Sequence, residues 1–304
     1  MYELKFDVRQ HNTQCYAGIA RTSIKTGDTL RGVNIAHELS EKQLILELAG
    51  VCEQVKQFNE AAKLFEKGEC YEKAATLYIQ TGNFTDADRL IPWISSNVIL
   101  SNIAKAKEAQ KQYREAEAIY EKAKNYEAII RLNLEVLENF EKAKKTFREK
   151  AKTPHCAQMI ADYCHKWGAK KDSIEFLIMA GSRPEAFKIA VDNEEMDEYA
   201  RVILANDEKN FDEHQNIAQY YENKQKFGKS GVHYEKCENY NKALKYYIKE
   251  GEAYIPNMIE MVGKVKIDAL THELVDYLMG EGPDGVPKDP KHTFKLYRAI
   301  GDTG

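Results

Sequence analysis

One helix-length motif recurs along this chain at a spacing of 13 residues. It opens on an aromatic residue, places a small residue three positions on, and follows with an apolar pair at positions six and seven. Residues 58–68 read FNEAAKLFEKG, residues 71–82 YEKAATLYIQTG and residues 84–91 FTDADRLI. A second triplet opens at Tyr113, Tyr126 and Phe140. A third opens at Lys170, Arg183 and Met196; it lacks the leading aromatic but keeps Ile174 with Phe176-Leu177, Phe187 with Ile189-Ala190, and Tyr199 with Val202-Ile203. A fourth opens at Phe227 and Tyr240. The openings at 58, 113, 170 and 227 lie 55, 57 and 57 residues apart, a second-order period of about 56.

The apolar spacing of 3, 4 and 7 within each unit is that of a helix. Thirteen residues hold one helix of roughly 10 residues and a turn of 2 or 3. The small residue (Ala61, Ala74, Ala87, Ala116, Ala143, Ala186, Ala243) lets a neighbouring helix approach, with the aromatic expected in the groove beside it. On this reading Ala74 sits in a helix seam, while Glu72 lies off the apolar stripe and tolerates alanine. Glycines mark expected helix ends at Gly27, Gly68, Gly82, Gly181 and Gly251. Starts are signalled by capping boxes at Ser40 and Ser182, and by Thr153-Pro154 and Asp289-Pro290. Longer helices are predicted before each triplet, near 41–56, 97–111, 154–168 and 211–225. Residues 280–288, with three glycines and two prolines, form a loop. The fold class is all-α: an α-solenoid of tetratricopeptide-like helical hairpins, running as one continuous body over 1–304.

Composition agrees with a packed chain. Apolar residues make up 43% and charged residues 30%, and no run approaches the length of a membrane-spanning helix. A net charge of −4, from 44 basic and 48 acidic side chains, is too balanced for a dedicated nucleic-acid binder. The six cysteines contain no CxxC pair and read as reduced thiols. The first residues lack the basic start and apolar core of a signal peptide, and both ends of the sequence fall beside helical pattern, so a fragment of a longer protein is expected.

No catalytic constellation emerges. Gly228-Lys229-Ser230 resembles the end of a phosphate-binding loop, but Asn223 stands where that loop needs a glycine. His272-Glu273 and His37-Glu38 each miss the second histidine of the helical zinc motif. His155-Cys156 and Cys164-His165 share one helix and lie about 13 Å apart, too far to share a metal. Neither metal nor cofactor is expected. Charge, however, is uneven. Lys142, Lys144, Lys145, Arg148, Lys150 and Lys152 gather in one segment, with Lys166, Lys170 and Lys171 following. Asp192, Glu194, Glu195, Asp197, Glu198, Asp207, Glu208, Asp212 and Glu213 gather in another. Such runs mark solvated faces or, more sharply, contact surfaces for partner proteins. The first six cations are the candidate partner-binding residues. Lys144, Lys145 and Arg148 should project outward from a helix whose stripe is Phe140, Ala143 and Phe147.

Three segments carry a family resemblance: GECYEKAATLYIQTGNF at 68–84, YEKCENYNKALKYYIK at 234–249 and, most particular, HELVDYLMGEGPDGVPKDPKHTFKLYRAI at 272–300; the opening MYELKFDVRQHN fits as well. With them the chain resembles the tetratricopeptide-like tail of the WD-repeat subunits of intraflagellar transport complex A. The resemblance implies a non-catalytic scaffold, normally preceded by WD-repeat propellers. It implies roles in retrograde ciliary transport, ciliary import of membrane receptors and cilium assembly. Its partners would be other complex A subunits and membrane-cargo adaptors, with no nucleic acid, and its place the cilium, basal body, cytoplasm and cytoskeleton. Other readings are a subunit of a different trafficking coat, or a peptide-binding tetratricopeptide adaptor with basic residues repeating on its inner helices. A continuous solenoid predicts a radius of gyration above about 24 Å in small-angle scattering, against about 19 Å for a compact globule of this length.

Overall fold

The computed structural model describes residues 2–205, 210–283 and 285–301, with side chains from residue 12 onward. Among these residues there are twenty α-helices and no strand. Two helices open the chain, α1 (Tyr2–Thr26) and α2 (Thr29–Glu38). Then a group of one longer and three shorter helices repeats. The first is α3 (Lys42–Gln54), α4 (Phe58–Lys67), α5 (Tyr71–Gln80) and α6 (Phe84–Leu90), closed by a 3-10 turn at Ile91–Trp93. The second is α7 (Asn97–Ala109), α8 (Tyr113–Lys122), α9 (Tyr126–Glu135) and α10 (Phe140–Lys150). The third is α11 (Pro154–Lys166), α12 (Lys170–Ala180), α13 (Arg183–Asp192) and α14 (Met196–Ala205). The fourth has α15 (Phe211–Asn223), α16 (Phe227–Lys236) and α17 (Tyr240–Glu250). The chain then closes with α18 (Ile255–Val265), α19 (Asp268–Met279) and α20 (Pro290–Ile300). Every motif opening read from the sequence is the first residue of a helix.

The chain forms two compact units, one of residues 1–169 with 179–181 and one of 170–178 with 182–304. Within each, helices joined by short turns fold back on their sequence neighbours: α3 on α4 and α4 on α5 in the first, α15 on α16 and α16 on α17 in the second. Each unit is thus a run of helical hairpins of the solenoid class.

The turns share one geometry. Two residues before each of the eleven shorter repeat helices, the backbone enters the left-handed region. At the α4–α5 turn, Cys70 N–H donates to the Phe65 carbonyl (2.8 Å) and Glu69 N–H to the Glu66 carbonyl (2.9 Å). These are the two bonds of a Schellman cap, which satisfy carbonyls the helix end leaves open. Three of these left-handed positions are glycine (82, 168 and 181), and eight are lysine, glutamate or glutamine (56, 69, 111, 124, 138, 194, 225 and 238). Glycine alone therefore under-reads the helix ends. Gly68 is a correction: its φ is −77° and Glu69 takes the left-handed place. Gly68 is small for another reason, since a Cβ there would lie 2.6 Å from Leu46 Cδ2 on α3.

The seven small residues are all buried, at 0–1% exposure. The leading aromatics are not; Phe58, Tyr71, Phe84, Tyr113, Tyr126, Phe140, Phe227 and Tyr240 are only half-buried. The eighth residue of the helix fills the groove instead: Phe65, Tyr78, Tyr120, Phe147, Tyr234 and Tyr247 are buried. Where it is tyrosine, its hydroxyl donates to a glutamate 12 residues earlier, in the last turn of the preceding helix. The pairs are Tyr78–Glu66 (2.8 Å), Tyr120–Glu108 (3.0 Å), Tyr234–Glu222 (2.7 Å) and Tyr247–Glu235 (2.7 Å). In the first unit a third helix joins each clasp. Arg131 of α9 grips Glu108 through both carboxylate oxygens (2.8 and 2.7 Å), and Arg89 of α6 reaches Glu66 (3.3 Å). The Arg131 bond holds the Glu108 carboxyl below its usual range, and burial with the Glu108 bond pushes the Tyr120 hydroxyl up to about 12.

Local signals were partly overridden. Thr153 and Asp289 cap α11 and α20 through Cys156 N–H (3.2 Å) and Lys291 N–H (2.9 Å). Ser40 does not cap α3; Glu41 takes that position without a side-chain bond. Glu72 is not idle: it accepts from Ser95 Oγ (3.0 Å) and Ser96 N–H (2.9 Å), capping the N-terminus of α7 from α5. Three variants separate these roles by thermal melting. Ala74→Leu overpacks its seam and costs about 1–3 kcal/mol, Glu72→Ala removes the cap and costs about 1 kcal/mol, and Gln80→Ala, on the exposed face of α5, stays within about 0.5 kcal/mol. Equal shifts for all three would contradict the packing.

Candidate partner-binding surface

The six candidate cations belong to α10 and the linker that follows it. Asn139 starts the helix by accepting from Lys142 N–H (3.1 Å). Ala143, Thr146 and Phe147 face inward, with Thr146 Oγ1 bonded to the Lys142 carbonyl (2.9 Å). Phe140 is half-buried and stacks on Tyr163 of α11 at 5.5 Å. Burial of this stripe sets which cations reach water.

The six divide into two sets. Lys142 pairs with Glu117 of α8 (2.6 Å), and Lys150 pairs with Glu121 while lying over the Tyr126 ring (5.3 Å). These two cations fasten α10 to α8 and α9. Lys144 corrects the expectation of an outward charge. Its side chain is only 14% exposed, folded over the Phe140 ring (4.5 Å) and paired with Glu141 (2.8 Å). Lys145 and Arg148, one turn apart on α10, and Lys152 in the linker after it are exposed and make up the candidate basic ridge. The residue types and spacing were visible in the sequence. The division was not, because Glu117 and Glu121 lie on a different helix.

The acidic run is largely neutralised within its own unit. Glu194 pairs with Lys224 (3.0 Å), Asp197 with Lys229 (2.7 Å), Glu195 with Lys171 (3.8 Å) and Glu213 with Arg183 (3.2 Å). Glu198 takes the Arg201 Nε (3.0 Å). Asp207 and Glu208 lie outside the described residues. The partner bonds hold the Glu194, Asp197 and Glu198 carboxyls below the usual range.

The near-miss motifs have structural employment. Gly228 N–H donates to the Glu250 carboxylate (2.8 Å), so a protein anion already occupies the place a phosphate would take. Lys229 is held by Asp197, and the buried Ser230 hydroxyl donates to the Ala218 carbonyl (2.9 Å). His272 Nδ1 bonds its own helix at the Asp268 carbonyl (2.7 Å). Cys156 and Cys164 are buried, while His155 is exposed and turned to Glu127 (3.1 Å). Among the described residues no group of three or more His, Cys, Asp or Glu side chains could hold a metal ion, and no helix is long and apolar enough to cross a membrane.

These features define an all-α protein of tetratricopeptide-like helical hairpins. The particular resemblance is to WD repeat-containing protein 19. The human and mouse proteins of that name are each 39% identical to this chain over 298 residues, covering 97% of it and 22% of the relative. WD repeat-containing protein dyf-2 of Caenorhabditis elegans is 32% identical over 305 aligned residues, covering 98% of this chain and 21% of the relative. The chain is therefore homologous, along nearly its whole length, to a segment of these proteins, and spans about a fifth of theirs. No protein-family model matches it. Among solved structures, a STAND-class signal-transduction ATPase with a tetratricopeptide repeat sensor from Pyrococcus horikoshii aligns over 96% of this chain and 53% of that one, at 16% identity and a TM-score of 0.25.

The two sets of cations separate by melting. Reversing Lys145, Arg148 and Lys152 together to glutamate changes stability by only about 1 kcal/mol, because exposed charge contributes little to folding. Lys142→Glu alone, which sets a carboxylate beside Glu117, lowers the melting temperature more than the triple variant does.

Proposed function

We propose that this chain is a non-catalytic scaffold segment of an intraflagellar transport complex A subunit. In that role it supports retrograde ciliary transport, ciliary import of membrane receptors and cilium assembly, acting at the cilium and basal body through protein–protein contacts. The observation that carries the reading is the match to WD repeat-containing protein 19 along 97% of the chain. A helical-repeat architecture supports it, since stacked hairpins offer extended surfaces. The non-catalytic reading is favoured by the motif residues Gly228, Lys229 and Ser230, all engaged in internal bonds.

The partner-binding part of the proposal falls on Lys145, Arg148 and Lys152, with Lys142, Lys144 and Lys150 holding the helix that presents them. An acidic patch on another complex A subunit would meet this ridge. Reversing the three exposed cations then replaces attraction by repulsion, which costs several kcal/mol across a contact and is enough to lose a micromolar interaction. The test is co-purification of the triple variant, in the full-length protein, with complex A subunits at physiological salt. The expected result is loss of at least one subunit with folding unchanged. Undiminished recovery of every subunit would return the ridge to a solvated face.

A further inference from the structure

The chain has two tryptophans, and both are exposed: Trp93 at 59% and Trp167 at 62%. Trp93 lies flat on Tyr71, with centroids 5.4 Å apart. Trp167 stands at the end of α11 beside a cleft of 350 Å³, wholly within the first unit. Leu134 and Met159 contribute apolar lining, Tyr163 and Trp167 the aromatic part, and Glu138 and Asp162 carboxylates. The aromatic part is buttressed from behind. Trp167 packs on Tyr163 (6.0 Å), Tyr163 on Phe140 (5.5 Å), and Lys144 lies over the Phe140 ring (4.5 Å). The indole is thus supported by a packed stack while remaining open to solvent, the condition in which tryptophan anchors a partner.

The charges of the cleft are unequal in their engagement. Arg131, also in the lining, is committed to Glu108 through both oxygens and to Glu135 (3.2 Å). Glu138 and Asp162 are exposed and make no ion pair among the described residues; Asp162 accepts only from the Gln158 amide (2.8 Å). Lys166 is the remaining cation of the lining, one against two carboxylates. A concave surface with apolar lining, an open indole and two unneutralised carboxylates complements a side chain that is cationic, planar and carried on an aliphatic stem. Arginine has all three properties: its guanidinium stacks on an aromatic face and its donor fork matches carboxylates, whereas lysine offers a strongly hydrated point charge.

We propose that this cleft takes an arginine side chain of a partner protein, with the guanidinium against Trp167 and between Glu138 and Asp162. The inference rests on the cleft alone and does not depend on the ciliary assignment or on the basic ridge. The test uses the 304-residue chain carrying Trp93→Phe, which keeps a ring against Tyr71 and leaves Trp167 as the sole tryptophan. Its fluorescence is titrated with the peptide acetyl-Ala-Leu-Arg-Leu-Ala-amide and with the same peptide bearing citrulline, which is planar and neutral, in place of arginine. A saturable change with the arginine peptide is expected, with affinity about tenfold lower for citrulline and about tenfold lower again for Glu138→Gln combined with Asp162→Asn. Calorimetry with Trp167→Leu should show binding lost, while melting of each variant confirms an intact fold, as exposed positions require. No saturable response to the arginine peptide, equal affinity for the citrulline peptide, or undiminished binding by the carboxamide variant would overturn the proposal.

Discussion

A buried tyrosine hydroxyl held by a glutamate on the neighbouring helix sets the register on which this architecture depends. The tyrosine is the eighth residue of its helix, and the ring fills the groove opened by the small residue at position four. Its hydroxyl cannot be buried without a partner, because an unsatisfied polar group costs about 1–3 kcal/mol. A glutamate in the last turn of the preceding helix supplies the acceptor, four times at the same separation. Sliding one helix along the other would break the bond and leave both groups unsatisfied, so the polar contact selects one register from the several that apolar packing alone allows. Arg89 and Arg131 extend the same logic to a third helix in the first unit.

The same chemistry limits how much surface charge is available for recognition. The chain is 30% charged, yet many of its cations are engaged by carboxylates on adjacent helices. Lys107 is the extreme case, 8% exposed and held by Asp88 and Glu115. A basic run is therefore a poor guide to a binding surface until its internal partners are subtracted. On α10 the subtraction sets Lys142 and Lys150, fastened to α8, apart from the other cations of the run, and along the acidic run it accounts for Glu194, Glu195, Asp197, Glu198 and Glu213. What survives is a few local features, a cationic ridge and an aromatic cleft, on elements whose own packing is complete. That division is what the proposed scaffold role asks for, since contacts can then change without disturbing the fold that displays them.

Much of the secondary structure was legible from residue order. The 3, 4 and 7 spacing, with the leading aromatic in eight and the alanine at position four in seven, located the first residue of all eleven shorter repeat helices, because an amphipathic helix must keep its apolar stripe on one side. The opening aromatics were assigned too deep a position, and glycine explained only three of eleven left-handed turn residues. The rest are lysine, glutamate and glutamine, for which no turn preference is written in the sequence; two Schellman hydrogen bonds and the closure of the hairpin offset the strain of about 1 kcal/mol that such residues bear.

The candidate surfaces were legible only as composition. That lysines cluster between 142 and 152 is a fact of sequence, and so is the helix that carries them. Which of them fasten the helix to its neighbours depended on Glu117 and Glu121, which are 25 and 29 residues from Lys142 and Lys150 and come alongside only when α8 and α10 pack. The Trp167 cleft left no mark in the order of residues at all, since its lining comes from the end of α9, the turn before α10 and one side of α11. Periodicity determined the helices and their buried faces, because those follow from local geometry and the exclusion of apolar groups from water. The charges left unpaired and the concavities left open were decided by tertiary structure, because both are set by what neighbouring helices bring against each face.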